Sequence, residues 1–398
     1  MFRRLILRCL CLLQLSRLMR FASRKRVIIL MYHGFTKREN HRGIENQEGN
    51  HLNIDRFREH IRYLTAHHEV IPLQQVVDAR LEGTELPDYS VVVTMDDGYK
   101  SNYSLAYPIL KQHNAPATIF LATGFVEDKE PLWPDRLEWA LGTAEPGVFE
   151  LRIGNESIEL DLRDVESRRR TANAVREKLK EIPQETRLDI LERLEDRLKR
   201  SLSTCDPMPD LYQALDWEDV LEMSRSGLVC FGNHAHTHVI LAKCSPERQR
   251  QEVEISTRII ENRTGGRTPL FCYPNGGRGD FDAVTQSVLR EHGYTCALTT
   301  IPGSNGPEAN LFELRRFAVN DRLSFEEFLV ILYGGLRNMV AELKAVFSRA
   351  PSDPSGNAHL QQMDSQEPST RRSRPGPRVS GPARQPFTVS NNHDDPDS

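Results

Sequence analysis

The chain has 398 residues, enough for two or three average domains or for one α/β barrel of about 250 residues with additions. Its 52 basic and 56 acidic residues give a net charge of −4, which provides no general electrostatic reason to bind nucleic acid. The seven cysteines include no Cys-x-x-Cys pair and are odd in number, which argues against a disulfide framework and a thiolate zinc site. We therefore expect a globular protein of a reducing compartment without a nucleic-acid partner.

The two ends of the chain differ from its centre. Residues 1–26 carry eight basic residues and no acid, and their apolar runs are far shorter than the roughly 20 residues of a membrane span. A signal peptide would not have arginines throughout. One interpretation is a basic helix on a membrane surface, and the alternatives are a helix packed on the domain or a poorly ordered leader. The lack of a secretion signal favours the cytoplasm or the cytoplasmic face of the membrane.

Residues 351–398 are rich in proline and poor in apolar side chains. Such a segment buries too little apolar surface to offset its ordering entropy, so we predict a disordered tail. A catalytic domain is predicted over residues 27–345.

Short apolar runs alternate with helical spacing through this domain. Predicted strands span residues 26–31, 69–73, 90–94, 117–121, 228–231, 270–273, 295–299 and 314–319. Predicted helices in the first half span residues 54–67, 75–82 and 103–113. This alternation is typical of parallel βα units and predicts an α/β fold.

An insert over about residues 132–215 interrupts the alternation. Residues 149–153 and 157–160 flank Gly154-Asn155, which predicts a β-hairpin. Two charged helices are predicted after it, separated at Pro183, and the second has one apolar face. We interpret the insert as a cap, a lid or an oligomer contact without a catalytic cluster. The sequence does not indicate an oligomeric state.

Three clusters of residues suited to chemistry follow predicted strands. The first is Asp96-Asp97-Gly98, at the carboxyl end of a strand, where active sites of parallel α/β proteins lie. Adjacent side chains diverge, so one carboxylate can bind a metal while the other handles a proton. The alternative is that this cluster forms an ordinary turn without a catalytic role.

The second cluster is a His-x-x-x-His pair, His234 and His238, which we expect on one helical turn with both imidazoles directed at one ion. His236 would then point elsewhere. The third cluster, Tyr273-Pro274-Asn275-Gly276, leaves backbone N–H groups free to hold a developing oxyanion, although it is also an ordinary turn sequence. Two histidines, one aspartate and a spare aspartate suit a divalent ion and predict metal-assisted hydrolysis of an acyl bond.

The order Thr-Met-Asp-Asp-Gly, His-x-x-x-His and Tyr-Pro-Asn-Gly resembles the polysaccharide deacetylase family (carbohydrate esterase family four), over about residues 27–345. The resemblance implies a distorted (β/α)7-type barrel, here with the helical and hairpin insert. It also implies removal of N-acetyl groups from an N-acetylhexosamine-containing glycan or glycoconjugate. The expected cofactor is a divalent ion, with Zn²⁺ first and Co²⁺ or Ni²⁺ as alternatives.

The resemblance also implies roles for individual residues. Asp96 falls on the general base, Asp97 on a metal ligand, and His234 and His238 on the other two ligands. The backbone N–H of Asn275 falls on the oxyanion donor.

This chain departs from the family pattern in its general acid and in the partner of its base. The usual late Leu-x-His motif reads Leu298-Thr299-Thr300 here, without a histidine. Tyr32-His33 resembles the opening strand of bacterial exopolysaccharide deacetylases, which implies that His33 is the acid; the alternative is a structural histidine. Cys272 stands where an arginine often supports the base, and Arg315 or Arg316 are offered as substitutes.

The sequence therefore favours a metal-dependent glycan N-deacetylase. Two alternatives stay open: a metal-dependent deacylase of a small non-carbohydrate amide, and a catalytically silent protein that binds glycan or membrane.

Overall fold

A parallel β-sheet lies at the centre of the fold. The structure is a computed structural model and describes residues 24–154 and 156–332. The strands are β1 Ile28–Tyr32, β2 Gly34–Thr36, β3 His51–Asn53, β4 Glu69–Val70, β5 Ser90–Met95, β6 Ala117–Leu121, β7 Val148–Ile153, β8 Glu156–Asp161, β9 Val229–Asn233, β10 Leu270–Cys272, β11 Cys296–Leu298 and β12 Phe317–Ala318. The main sheet has the order β11-β10-β9-β6-β5-β1-β12, and β4 pairs with the beginning of β5.

This sheet is curled into a half-barrel. Its strands pair in parallel. A further parallel bridge joins Leu298, at the end of β11, to Leu314, just before β12. The two ends of the strand order are thereby brought toward each other, as expected for a distorted (β/α) barrel.

Helices cover the outside of the sheet. They are α1 Ile54–His67, α2 Leu73–Glu82, α3 Tyr107–His113, α4 Thr123–Glu127, α5 Trp133–Thr143, α6 Val165–Lys180, α7 Gln184–Leu198, α8 Trp217–Arg225, α9 Pro246–Thr264, α10 Ala283–Glu291 and α11 Phe325–Leu332. Shorter turns are a π-helical segment, Asn102–Ala106, and 3₁₀ segments, Asp210–Tyr212, Leu241–Lys243 and Leu311–Glu313. Every residue of β1, β5 and β6 is buried, which explains why these strands are continuously apolar.

Most of the predicted elements are confirmed, and α1 and β6 have the predicted bounds. The strand expected over residues 69–73 is shorter, because Pro72 lacks a donor for the ladder and Leu73 already begins α2. The helix expected over residues 103–113 begins as the π-helical segment. The pair β2–β3 was not predicted, since each strand has only three residues.

The hairpin and the two charged helices expected in the insert are confirmed. Strands β7 and β8 pair in antiparallel fashion, and α6 and α7 flank Pro183. The apolar side chains of α5, the hairpin, α6 and α7 form a separate hydrophobic cluster. The insert is therefore a folded unit with its own core.

The predicted basic segment, residues 1–26, falls outside the described residues apart from residues 24–26, and the predicted tail, residues 351–398, falls outside them entirely. Both interpretations, and the limits of the catalytic domain at residues 27–345, stay predictions. Among the described residues, no helix combines the length and apolar character that crossing a membrane requires.

Candidate active site

The carboxyl ends of neighbouring strands bring the sequence clusters to one edge of the sheet. Tyr32 of β1 pairs with Met95 of β5, so the residues that follow, His33 and Asp96, begin at the same level. Leu121 of β6 and Asn233 of β9 are paired in the same way, which places His234 on that edge.

The turn after β5 depends on an unusual backbone. Asp97 has a φ of +77° and Gly98 a φ of +94°. A Cβ at position 98 would lie 3.0 Å from Val126 and 3.1 Å from Leu121, so only glycine fits there without displacement. The sharp turn directs the Asp96 and Asp97 side chains to different partners.

Asp97, His234 and His238 form one buried cluster. Oδ1 of Asp97 lies 3.4 Å from Nε2 of His234 and 3.3 Å from Nε2 of His238. Burial alone would raise the pKa of Asp97, but the two imidazoles hold it well below its usual range, so the carboxylate is ionised. The three residues have the ligand types of a divalent transition-metal site.

The hydrogen bonds around this cluster fit a cation. Nδ1 of His234 lies 2.7 Å from the carbonyl oxygen of Cys272, which can only accept, so Nδ1 carries a proton. Nε2 of the same ring then faces the buried Oδ1 of Asp97. A buried carboxylate between two imidazole nitrogens needs a positive charge beside it, which protonated imidazoles or a bound cation can supply. The residues present therefore fit the metal that the family resemblance implies.

The helical turn expected for the two histidines is wrong. Residues 234–240 form a loop, in which Ala235 and His238 have φ values of +63° and +54°. These two left-handed residues fold the loop back, so the His234 and His238 rings approach to 5.0 Å between centroids. His236 points elsewhere, as expected, and its Nδ1 lies 3.0 Å from Oγ1 of Thr123.

Asp96 is bound on the other side of the turn, by Arg316. The Nη1 and Nη2 atoms donate to Oδ1 and Oδ2 at 2.7 Å each, and both side chains are essentially inaccessible, at 0% and 2% exposure. Burial alone would raise the pKa of Asp96, but the Arg316 guanidinium lowers it below its usual value. Asp96 is therefore a fixed carboxylate that carries its charge at neutral pH.

Of the two arginines offered as substitutes, Arg316 is the one that binds Asp96, the predicted base. Arg315 exchanges backbone hydrogen bonds with the side chain of Asn305 instead. The thiol of Cys272 completes the group, with Sγ 2.9 Å from Nη2 of Arg316 and 3.6 Å from Oδ2 of Asp96. The cysteine thus fills the usual arginine position while Arg316 reaches the carboxylate from beside β12.

His33 lies half-buried at the end of β1, on the same side as the aspartates. Its backbone carbonyl accepts a hydrogen bond from Nδ2 of Asn102 at 2.7 Å. Its positive charge, when the ring is protonated, contributes to the lowered pKa of both Asp96 and Asp97. The ring is therefore within electrostatic range of the predicted base and ligand.

Asn275 lies in the turn after β10, three residues beyond Cys272. It has a φ of +60°, and the next residue, Gly276, has a φ of +65°. Its carbonyl accepts a hydrogen bond from Oγ1 of Thr300 at 2.7 Å, whereas its N–H has no acceptor among the described residues. The turn therefore leaves this N–H available as a donor, as the sequence predicted.

His51 is a further residue near this site that sequence reasoning missed. It pairs with Gly34 across β2 and β3, immediately after His33, and its ring lies edge-on to Tyr99 at 4.7 Å between centroids. Burial lowers the pKa of His51 to about 3, so it stays neutral. The signal for this neighbour is long-range pairing of two short strands, which periodicity does not reveal.

These features are those of the polysaccharide deacetylases. A family model for polysaccharide deacetylase matches residues 83–297, more than half of the chain. The chain belongs to the polysaccharide deacetylase family, which confirms the family expected from the motifs.

Several known proteins resemble this chain along most of its length. The Bacillus subtilis (strain 168) protein YxkH is 19% identical over 303 residues, which are 75% of this chain and 74% of YxkH. The deacetylase PplD of Streptococcus pyogenes is 19% identical, with a TM-score of 0.51, over 78% of this chain and 99% of PplD. IcaB from Ammonifex degensii is 17% identical, with a TM-score of 0.49, over 78% of this chain and 97% of IcaB. At this identity the likeness to PplD confirms the distorted barrel fold.

Proposed function

We propose that this protein is a metal-dependent hydrolase that removes N-acetyl groups from an N-acetylhexosamine-containing glycan or glycoconjugate. The observation that carries the proposal is the buried cluster of Asp97, His234 and His238, in which three potential metal ligands face one another. Family membership supports the deacetylase reaction.

Asp97, His234 and His238 would hold the ion, for which Zn²⁺ is the first candidate and Co²⁺ and Ni²⁺ are alternatives. When bound, a divalent ion supplies a Lewis acid that polarises the acetyl carbonyl and acidifies water. The hydrogen bond from Nδ1 of His234 to the Cys272 carbonyl keeps this ring in the tautomer that a ligand needs.

Asp96 would act as the general base. It takes the proton of the water that attacks the acetyl carbon, and Arg316 keeps its carboxylate oriented and charged. The backbone N–H of Asn275 would donate to the oxygen that becomes negative.

His33 would act as the general acid. The C–N bond of the amide breaks as the protonated imidazole gives its proton to the leaving amine, so acetate and the free amino sugar are released. An imidazole suits this task because its ordinary pKa lies near neutral pH. The neighbouring His51 is not suited to the same role, since burial lowers its pKa to about 3.

The test is acetate release from N-acetylated oligosaccharides and lipid-linked amino sugars. The protein is stripped with a chelator and then resupplied with Zn²⁺, Co²⁺ or Ni²⁺. We expect release that disappears with the chelator and returns with the ion. His238→Ala should lose the ion and the activity together.

Three other outcomes would contradict parts of the proposal. Release that persists in the chelated protein would exclude the metal. Release only from small non-carbohydrate amides, with no dependence on the sugar, would make the protein a small-amide deacylase. Glycan binding without release from any substrate, despite a bound ion, would make it a binding protein.

A further inference from the structure

The segment after Asp97 is held from outside the barrel, by the end of the insert. The carbonyl of Gly98 accepts a hydrogen bond from the N–H of Leu215 at 2.9 Å. Two residues on, the N–H of Lys100 donates to the carbonyl of Gln213 at 2.7 Å. The turn that carries Asp97 therefore continues into a short antiparallel pairing with the insert.

The beginning of the insert holds the same segment through side chains. Tyr99 is buried, and its ring packs edge-on against His51 and Phe125, with centroids 4.7 and 5.3 Å apart. Its hydroxyl donates to Oδ2 of Asp135, on α5, at 2.9 Å. Tyr99 is thus enclosed by the barrel on one side and tied to the insert on the other.

The same helix also holds the segment before His51. Glu138, one turn after Asp135, accepts hydrogen bonds from the N–H groups of Asn46 and Gln47 at 2.9 and 3.1 Å. The Asn46 side chain in turn bonds the backbone N–H and carbonyl of His51. Two buried carboxylates on α5 therefore connect the insert to both sides of the candidate site.

Asp97 needs such external support because of its backbone. A φ of +77° is a left-handed conformation that non-glycine residues adopt at a cost, and it persists only where the surroundings determine it. Gly98, the next residue, can adopt more backbone conformations than any residue with a side chain, so it does little to fix the conformation of Asp97. The Asp97 carbonyl also accepts a hydrogen bond from the N–H of Ala122 in the barrel at 3.1 Å. The contacts of Gly98, Tyr99 and Lys100 with the insert add a second constraint on the other side of the turn.

We propose that Asp135 is a positioning residue for the metal ligand Asp97, acting through Tyr99, so that the insert is required for tight metal binding although it supplies no ligand. This inference rests on the proposed function, because it takes Asp97 as a ligand. Loss of the Tyr99–Asp135 hydrogen bond should loosen the metal site and leave substrate binding unaffected.

The experiment measures Co²⁺ binding by the full chain in competition with a chelator, together with the visible absorption spectrum of the Co²⁺ form. The variants are Tyr99→Phe, Asp135→Leu, which removes the acceptor at similar size, and the double variant. The matched control is Glu195→Gln, which weakens a buried pair with Arg136 inside the insert and touches neither segment of the site. The melting temperature and the separate kcat and KM of every variant are also recorded.

We expect Tyr99→Phe and Asp135→Leu each to weaken Co²⁺ binding by roughly 10- to 100-fold and to alter the spectrum, with KM unchanged. The double variant should be no worse than either single variant, because both remove one hydrogen bond. Glu195→Gln should lower the melting temperature without changing Co²⁺ affinity.

Wild-type affinity and spectrum in both single variants would overturn the inference. Equal loss of affinity in Glu195→Gln would also overturn it, because a general loosening of the insert would then explain the effect. If Asp135→Leu does not fold, Tyr99→Phe decides alone, since it removes only a hydroxyl. A wild-type chain that binds no Co²⁺ is a different result, which refutes the metal site of the proposed function.

Discussion

In the part of the chain that the structure describes, one buried arginine–carboxylate pair lies at the strand ends of the barrel and another lies in the insert. Arg316 binds Asp96 through two hydrogen bonds of 2.7 Å, and Arg136 binds Glu195 through two of 2.9 Å. Their geometry is nearly the same, yet their surroundings differ. Asp96 lies beside the metal-site histidine His234.

The insert pair has a different kind of neighbour. Glu195 takes its further hydrogen bond from Ser201, and the pair joins α5 to α7 within the insert core. A buried ion pair therefore does not identify an active site by itself. What distinguishes the barrel pair is a charged carboxylate next to the residues of the proposed metal site, and this difference can be tested by parallel substitutions.

The largest contrast is expected from removing the charge of each carboxylate. Asp96→Asn should lower acetate release by about 10²- to 10⁴-fold, because it removes the general base. Glu195→Gln should keep the wild-type rate and lower only the melting temperature. Bound metal is measured alongside, and Asp96→Asn should retain it. Full activity in Asp96→Asn would refute the assignment of the base.

A smaller contrast is expected from changing each arginine to lysine, which keeps the charge but loses the two-pronged geometry. Arg316→Lys should reduce kcat on the order of 10²-fold, because an Asp96 carboxylate that is wrongly oriented accepts the proton of the attacking water less efficiently. Arg136→Lys should cost about 1.5–3 kcal/mol of unfolding free energy at most and leave kcat intact. Steady-state kinetics and urea unfolding distinguish them. Equal loss of kcat in both variants would remove the contrast.

The next effect is a change in the pH dependence of the free energy of unfolding at the Asp96–Arg316 pair. The pKa of Asp96 is lowered in the folded state and is about 3.9 when unfolded. Its stabilisation is therefore complete above the unfolded pKa and is lost as the pH falls through the folded pKa. Urea unfolding of the metal-free protein between pH 3 and 7 should show a shallower decline for Asp96→Asn than for the wild type. Identical slopes would mean that the pair contributes no pH dependence.

The smallest effect is expected at Cys272, which shares Arg316 with the base. Sulfur forms weak hydrogen bonds, and the arginine holds both carboxylate oxygens without it. Cys272→Ala should therefore change kcat by less than about fivefold, about 1 kcal/mol. A loss as large as that of Arg316→Lys would show that the thiol is needed to orient the base.

The residues of the proposed metal site were predictable from the sequence because they follow strands within short motifs. Residue type and spacing selected His234, His238 and one of two adjacent aspartates, and the family resemblance implied that the ligand is Asp97. The helical turn expected between the histidines is a loop. The conformation was not predictable, because it depends on left-handed backbone at Ala235 and His238 that no spacing rule contains.

The residues that support the site were harder to predict because they depend on register and distance. Neighbouring residues of an extended segment point to opposite sides, so only one of Arg315 and Arg316 can face Asp96. The residue types alone do not show which one it is. The pairing of Leu30 with Phe317 sets the register at which Arg316 reaches Asp96. Asp135 was missed for the same reason: its partner Tyr99 belongs to another element, and both depend on how the insert folds back.

The position of Arg316 has a consequence for protein synthesis. It lies 220 residues after Asp96 in the chain. Because ribosomes add about 5–20 residues per second, Arg316 is synthesised on the order of 10–40 s after Asp96. Until β12 is made, β1 has one unpaired edge that can associate with other chains. Until almost all of its barrel has been translated, the nascent protein therefore lacks the partner of Asp96 and leaves this edge of β1 unpaired, which makes this interval the one in which a chaperone would matter most.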